Sequence, residues 1–259
     1  MHFFALKRSS KKRKCETSLN SVRWGRCSVS SIRYVCMCGP LQTERFQLEV
    51  KYLIEEALLS GIIDQKLADY LIVEYLIVPI LYTLPKIHKD LCNPPRCPIV
   101  SGRRSLLNKV AILLDRILPK FAMIAPSYTR DTSDFIRSLE DVRVDESTFL
   151  VSFNVVSLYT LIEHERGLFA VHMMLAGSDM APECTWFTLA LFEFILRRNY
   201  FLFGDDYYLH HCGTAMGSNV APTYANIYMA VLEGEHVYKS PFWHIVRNWR
   251  RYVDNVSFV

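Results

Sequence analysis

Three polar residues interrupt apolar, β-branched stretches in a way that could carry chemistry. Asn154 stands in "LVSFNVVSLYT", and Asp254 and Asn255 stand together in the closing "RRYVDNVSFV". A carboxylate on a tight turn is a hard oxygen ligand suited to a divalent cation. Enzymes that join nucleotides often present two adjacent acids on such a turn. Here the second position holds an amide, which offers one neutral carbonyl oxygen and no charge. Taken alone, Asn154 also reads as an ordinary strand residue and Asn255 as an ordinary turn residue.

Thiols and imidazoles offer less. The eight cysteines are Cys15, Cys27, Cys36, Cys38, Cys92, Cys97, Cys184 and Cys212. Cys27, Cys36 and Cys38 could supply three metal ligands, but no second CxxC or HxxxH pair completes a zinc spacing, so they read as chance thiols. His210 and His211 lack a third ligand and are expected at the surface or in a turn. No long apolar region follows the charges of "MHFFALKRSSKKRKC", so no signal peptide is expected. Reduced thiols in an intracellular protein, nuclear or cytoplasmic, follow from that.

The elements that must position these residues are legible in outline. "ERFQLEVKYLIEEALLSG" puts Phe46, Val50, Leu53, Ile54 and Leu58 on one helical face, with Gly61 as a stop. "DQKLADYLIVEYL" predicts a second helix capped by Asp64. Leu107, Val110, Leu114, Ile117 and Leu118 predict another amphipathic helix, and "DTSDFIRSLEDV" a short capped one. "TFLVSFNVVSLYT" predicts a strand. "ECTWFTLALFEFILRRN" predicts a long buried helix, and "YFLFGDDYYLH" a hairpin turning at Gly204-Asp205-Asp206. "GTAMGSNVAPTYANIYMAVLEGE" opens with small residues and then reads as helix. The closing segment predicts a second hairpin whose last strand is a stub. Helices and strands mix without regular βαβ alternation, so the class is α+β.

Composition bounds the rest. The chain has 259 residues, enough for one large domain or two small ones, and its 51% apolar content excludes a disordered composition. Residues 1–40 hold nine Lys/Arg and one acid, which leaves 21 basic against 25 acidic residues and a net −4 in the remainder. The basic run "KRSSKKRK" suits a nuclear-import or nucleic-acid tail, and equally a solvated charge run. Residues 1–42 are expected to form a disordered basic head, and 43–259 a single domain. The apolar run Leu67–Leu84 is interrupted by Asp69, Glu74 and Pro79, where a membrane span needs about 20 clean apolar residues. It predicts a buried helix followed by a strand, and no membrane role.

The strand carrying Asn154, the glycine-rich loop running into a helix, and the hairpin carrying an acid stand in an order that resembles a reverse transcriptase palm. "LYTLPKIHKD", "NPPRCPIVSGR", "SLYT", "GTAMGSNVAPTYANIYM" and "RYVDN" are similar, more narrowly, to the reverse transcriptases of Penelope-like retroelements, over about residues 45 to 259. The resemblance implies polymerase fingers plus a partial palm: a ferredoxin-like sheet with packed helices, incomplete at its C-terminus and without a thumb. It implies two Mg2+ ions, an RNA template, a DNA primer and deoxynucleoside triphosphates. It places carboxylates at the positions of Asn154, Asp254 and Asn255, so one of three remains. Asn is nearly isosteric with Asp, so the fold should tolerate it while the two-cation chemistry should not survive.

Other implied roles are mixed. Tyr159 matches the residue that packs under the sugar and excludes ribonucleotides. Gly213 and Gly217 match positions where backbone approaches template and nucleotide. Lys86 and Lys89 match template or triphosphate contacts, and read equally as solvated lysines. The family places an Arg that reaches the triphosphate where this chain has Cys97. Arg96, one residue off, is expected on the other face of its strand, with nucleic-acid contact as its remaining role. Cys212 stands where a polar side chain is expected. The resemblance therefore implies an inactive polymerase scaffold. The alternatives are a non-catalytic nucleic-acid binder and a remnant without function.

Overall fold

The computed structural model describes residues 34–37 and 41–259. The basic head, and the side chains of Cys15, Cys27, Cys36 and Cys38, lie outside the described parts. Helix α1 (Leu41–Leu59) buries Phe46, Val50, Ile54 and Ala57, close to the face its periodicity predicts, and the chain turns at Gly61 with φ of 70°. Helix α2 (Gln65–Leu71) starts at Asp64, whose carboxylate accepts the Leu67 N–H at 2.8 Å. Helices α3 (Asn108–Ile117) and α4 (Pro119–Ala122) bury Val110, Leu114 and Phe121, and Leu118 between them is buried as well. Asp131 caps α5 (Thr132–Leu139) by accepting the Asp134 N–H at 2.9 Å. After α6 (Leu158–Leu161) and α7 (His164–Ala176), α8 (Pro182–Arg197) buries Phe187, Leu191, Phe192, Ile195 and Leu196 at the centre of the molecule. Helix α9 (Ala221–Leu232) packs on α7 and meets α8 through the Phe192 and Tyr224 rings, 5.0 Å apart.

The strands are β1 (Tyr34–Met37), β2 (Leu81–Pro85), β3 (Arg96–Val100), β4 (Val151–Asn154), β5 (Tyr200–Phe203), β6 (Asp206–His210), β7 (Arg250–Tyr252) and β8 (Asn255–Phe258). They form three small antiparallel sheets: β1-β6-β5, β2-β3 and β4-β8-β7. The helices pack into one continuous core, and the class is α+β as expected.

Several elements differ from the sequence expectation. Helix α2 ends at Leu71, so the "IVEYL" that follows is irregular. Tertiary partners outbid helix propensity there: the Lys109 ammonium donates to the Ile72 carbonyl at 2.8 Å and Gln47 to the Val73 carbonyl at 3.1 Å. The predicted strand around Asn154 is shorter, because Ser157 takes a left-handed φ of 57° and "LYT" starts α6. The β5–β6 turn is Gly204-Asp205 alone, since Asp206 already pairs with Phe203. Strand β8 is no stub: all four residues pair with β4 and three of them with β7.

His210 is also placed differently. It lies on β6, 4% exposed, with its ring 5.3 Å from that of Phe201, whereas His211 is exposed. Both faces of β6 are covered: Leu209 and Tyr207 pack on the main core, and alternation puts His210 on the opposite face with Tyr208 and Phe201. Burial, helped by the charge of His164, pushes the His210 imidazole down to about 3 from 6.5. The unfolded chain therefore binds more protons than the folded chain between those values, and stability falls as pH drops through that window. Urea midpoints measured from pH 7 to pH 4 should fall more steeply for the unmodified chain than for His210→Leu.

Candidate functional site

The β4-β8-β7 sheet has two unlike faces. Register pairs Ser152 with Ser257, Asn154 with Asn255, Arg250 with Ser257 and Tyr252 with Asn255. Pleating therefore places these six polar residues on one open face. The other face carries Phe153, Val256, Phe258 and Arg251, with Val256 and Arg251 fully covered.

At the end of the open face the three candidate site residues meet. The Asn154 amide Nδ2 donates to Asn255 Oδ1 at 3.2 Å, across 101 residues of chain, and Asn255 Nδ2 donates to Asp254 Oδ1 at 3.2 Å. Asp254 occupies the β7–β8 turn and is half-buried, while both asparagines are exposed. The turn is held from both sides. The Val155 N–H donates to the Asp254 carbonyl at 2.7 Å, and the Arg251 guanidinium donates to the Val253 carbonyl at 3.3 Å. Val253 needs this support: a β-branched residue at φ of 55° is strained, at a cost of about 1–3 kcal/mol.

Arg251 anchors the hairpin from beneath. Its Nε donates to Glu233 Oε1 at 2.8 Å and its Nη1 to Asn226 Oδ1 at 2.6 Å, with both charged side chains fully buried. Glu233 also accepts from Ser127 Oγ at 2.5 Å and Trp249 Nε1 at 3.1 Å. It opens a π-helical turn, Glu233–Val237, that continues α9. Backbone bonds from Arg251 N to Ser127 O at 2.7 Å and from Thr129 N to Arg251 O at 3.0 Å tie β7 to the segment before α5. Sequence reasoning missed this group. The one available signal was alternation, which puts Arg251 on the covered face opposite Tyr252 and so demands a buried partner.

Tyr159, on α6, is half-buried, and burial first, then the charge of Asp254, pushes its phenol up from the ordinary value. Its carbonyl accepts the Thr214 N–H at 2.8 Å, while the Gly213 N–H donates to Ile162 O at 2.7 Å. Gly213 has φ of 70°, and a Cβ there would collide with the Tyr159 carbonyl oxygen. Gly217, at φ of 120°, would put a Cβ 2.7 Å from the Val100 carbonyl oxygen. Both glycines are thus required by close approach of the chain to itself. The buried His164 ring pairs with Gly213 O at 2.9 Å, and Cys212 Sγ lies 3.4 Å from Ile162 O.

From this loop the line continues to β3. Val100 N donates to Met216 O at 3.1 Å, and Cys97 Sγ lies 3.5 Å from Met216 Sδ. Asn154, Asp254, Asn255, Tyr159, Gly213, Gly217 and Cys97 thus lie along one connected path. Because Cys97 faces Met216, the pleat turns Arg96 to the other face of β3. Lys86 and Lys89 lie in the β2–β3 loop beyond the Pro85–Arg96 pair, at the opposite end of the ladder from Val100. A cleft of about 440 Å³ flanks the open face, lined by Thr129, Asp131, Phe135, Arg250, Tyr252 and Asn255 among others.

The donor set does not fit two Mg2+ ions. One carboxylate and two neutral amides face one another, and amide N–H groups already engage Asn255 Oδ1 and one Asp254 carboxylate oxygen. Among the described residues no cluster of three or more His, Cys, Asp or Glu could hold a metal ion, and no helix is long and apolar enough to cross a membrane.

Among solved structures the fold is similar to that of telomerase. The telomerase from Candida albicans, solved in complex with a TWJ fragment of telomeric RNA, matches with a TM-score of 0.54 at 9% identity, over 88% of this chain and 45% of that one. The apo telomerase from Candida tropicalis gives a TM-score of 0.49 at 10% identity, over 70% of this chain and 38% of that one. The chain spans less than half the length of the telomerase chains it matches. No protein-family model and no curated protein matches the sequence. At such identity the likeness is one of fold: the chain has part of a reverse-transcriptase-type polymerase fold.

Removing one partner of the buried ion pair should be costly. Arg251→Met leaves Glu233 charged and unpaired, and should lower stability by about 3–5 kcal/mol. Arg251→Met combined with Glu233→Leu should recover much of that loss, since neither charge then remains buried. Urea unfolding of the two variants measures the difference.

Proposed function

We propose that this chain is the fingers-and-palm unit of a reverse transcriptase of the Penelope-like class, and that its nucleotidyl-transfer site is inactive. The observation that carries this reading is the meeting of Asn154, Asn255 and Asp254 at one end of the open face. A strand and a hairpin distant in sequence bring three acid-shaped side chains together, and two of the three are amides. The motifs "LYTLPKIHKD", "GTAMGSNVAPTYANIYM" and "RYVDN" supply the narrower family reading.

In this reading the open face receives a DNA primer on an RNA template, with a deoxynucleoside triphosphate between it and β3. The telomerase neighbour solved with RNA supports that choice of partner. Tyr159 lies beside Asp254, where a ring can bear on the sugar. Lys86, Lys89 and Arg96 form the basic end of the β2–β3 hairpin and meet the template backbone. Cys97 stands where a guanidinium would grip the triphosphate, and a thiol cannot replace it. In the family, cations at this site activate the primer hydroxyl and hold the triphosphate. With Asp254 as the sole carboxylate, that chemistry has no support here.

A second reading, binding of nucleic acid without catalysis, is favoured by the uniformly polar open face and by the basic residues 1–40. The boundary near residue 42, between that head and the folded unit, belongs to the same proposal.

Primer extension on an RNA template, with Mg2+ and with Mn2+, tests the principal reading. The unmodified chain should give no extended product. Asn154→Asp/Asn255→Asp, with a duplex-gripping thumb supplied in cis, should give product. Extension by the unmodified chain would refute inactivity.

A further inference from the structure

Loss of two acids changes what the open face can hold, not only what it can catalyse. Three carboxylates packed at one spot repel a polyanion unless cations screen them. Here Asn154 and Asn255 are neutral, and Asp254 accepts a hydrogen bond from Asn255. The rest of the face offers donors and a cation: the Ser152 hydroxyl, which accepts from the Ser257 hydroxyl at 3.3 Å and has its own proton to give, the Tyr252 phenol and the Arg250 guanidinium. Arg250 is held in place by Asn248 Oδ1 at 3.1 Å and the Pro126 carbonyl at 3.3 Å. It lines the 440 Å³ cleft together with Tyr252, Asn255 and Ser257. The acid on that cleft's wall, Asp131, is engaged by Arg130 Nε at 2.9 Å and by the Asp134 N–H at 2.9 Å.

We propose that the open face of β4-β8-β7 binds the phosphodiester backbone of an RNA–DNA hybrid without any divalent cation. The proposal rests on the polymerase-type reading of this face. It turns the misfit between the donor set and a two-cation site into a binding property: the asparagines replace a cation-dependent anion site with a cation-independent one. Neutral amide and hydroxyl donors, with one guanidinium, make the kind of phosphate contacts that position nucleic acid without reading its sequence.

The test is fluorescence anisotropy of a labelled RNA–DNA hybrid titrated with the full chain at fixed ionic strength, in EDTA and in Mg2+. The unmodified chain should bind with a Kd that changes by no more than about twofold between the two conditions. Asn154→Asp/Asn255→Asp should bind about tenfold more weakly in EDTA and recover in Mg2+. Arg250→Gln should weaken binding and lower the log–log salt slope by about 1. Thermal melting by circular dichroism separates these effects from misfolding. A Mg2+ requirement in the unmodified chain overturns this proposal alone. Equal binding by the Asp variant and the unmodified chain in EDTA also overturns it, since binding then lies elsewhere, as on the basic head. Absence of binding in both conditions overturns this proposal and the polymerase-type reading together.

Discussion

The buried pair of Arg251 and Glu233 is the constraint on which the site depends. Two opposite charges, both shielded from water, fix the β7–β8 hairpin against the end of α9. Such a pair need not add net stability, because desolvation offsets much of its attraction. What it adds is register. The guanidinium is spoken for by Glu233, Asn226 and the Val253 carbonyl at once. A shift of β7 by one residue would turn Arg251 out onto the open face, leave Glu233 buried without its partner and send Tyr252 inward. The strained Val253 backbone is kept in place by the same group, and so Asp254 is presented at the end of the open face.

That rigid presentation makes the chemistry of the three side chains decisive. The scaffold brings two asparagines and an aspartate into hydrogen-bonding contact, and they satisfy one another. A frame of this kind holds carboxylates together only if cations balance their charge. With amides it is self-consistent without cations. Amides in place of carboxylates thus remove a source of repulsion within the fold and toward a polyanion. The glycine-rich loop follows similar logic: Gly213 and Gly217 are required where it presses on the Tyr159 and Val100 backbones, which couples β3 to the site whether or not a nucleotide binds.

Much of this was legible in the sequence where one local cause dominates. Asp64 and Asp131 cap helices as their spacing predicts, and the apolar faces of α1 and α3 are buried nearly as their periodicity requires. The strand and hairpin carrying Asn154 and Asp254 were visible from β-branched residues around isolated polar ones. What stayed hidden depends on distant partners. The end of α2 is set by Lys109 and Gln47, the burial of His210 by its place on the Phe201 and Tyr208 face of β6, and the role of Arg251 by Glu233, on another element. Lys86, Lys89 and Arg96 were legible as basic, but their place at the far end of the β2–β3 hairpin follows only from its register.

Divalent-cation binding at Asp254 tests the central claim most directly: that hydrogen bonds among Asn154, Asn255 and Asp254 stand where cations would. Mn2+ titration followed by electron paramagnetic resonance, on the chain and on Asp254→Ala, reads it out. The expected result is superimposable titrations, with no bound Mn2+ that depends on Asp254. Two bound ions in the unmodified chain, lost in Asp254→Ala, would contradict the claim and return the site to cation chemistry.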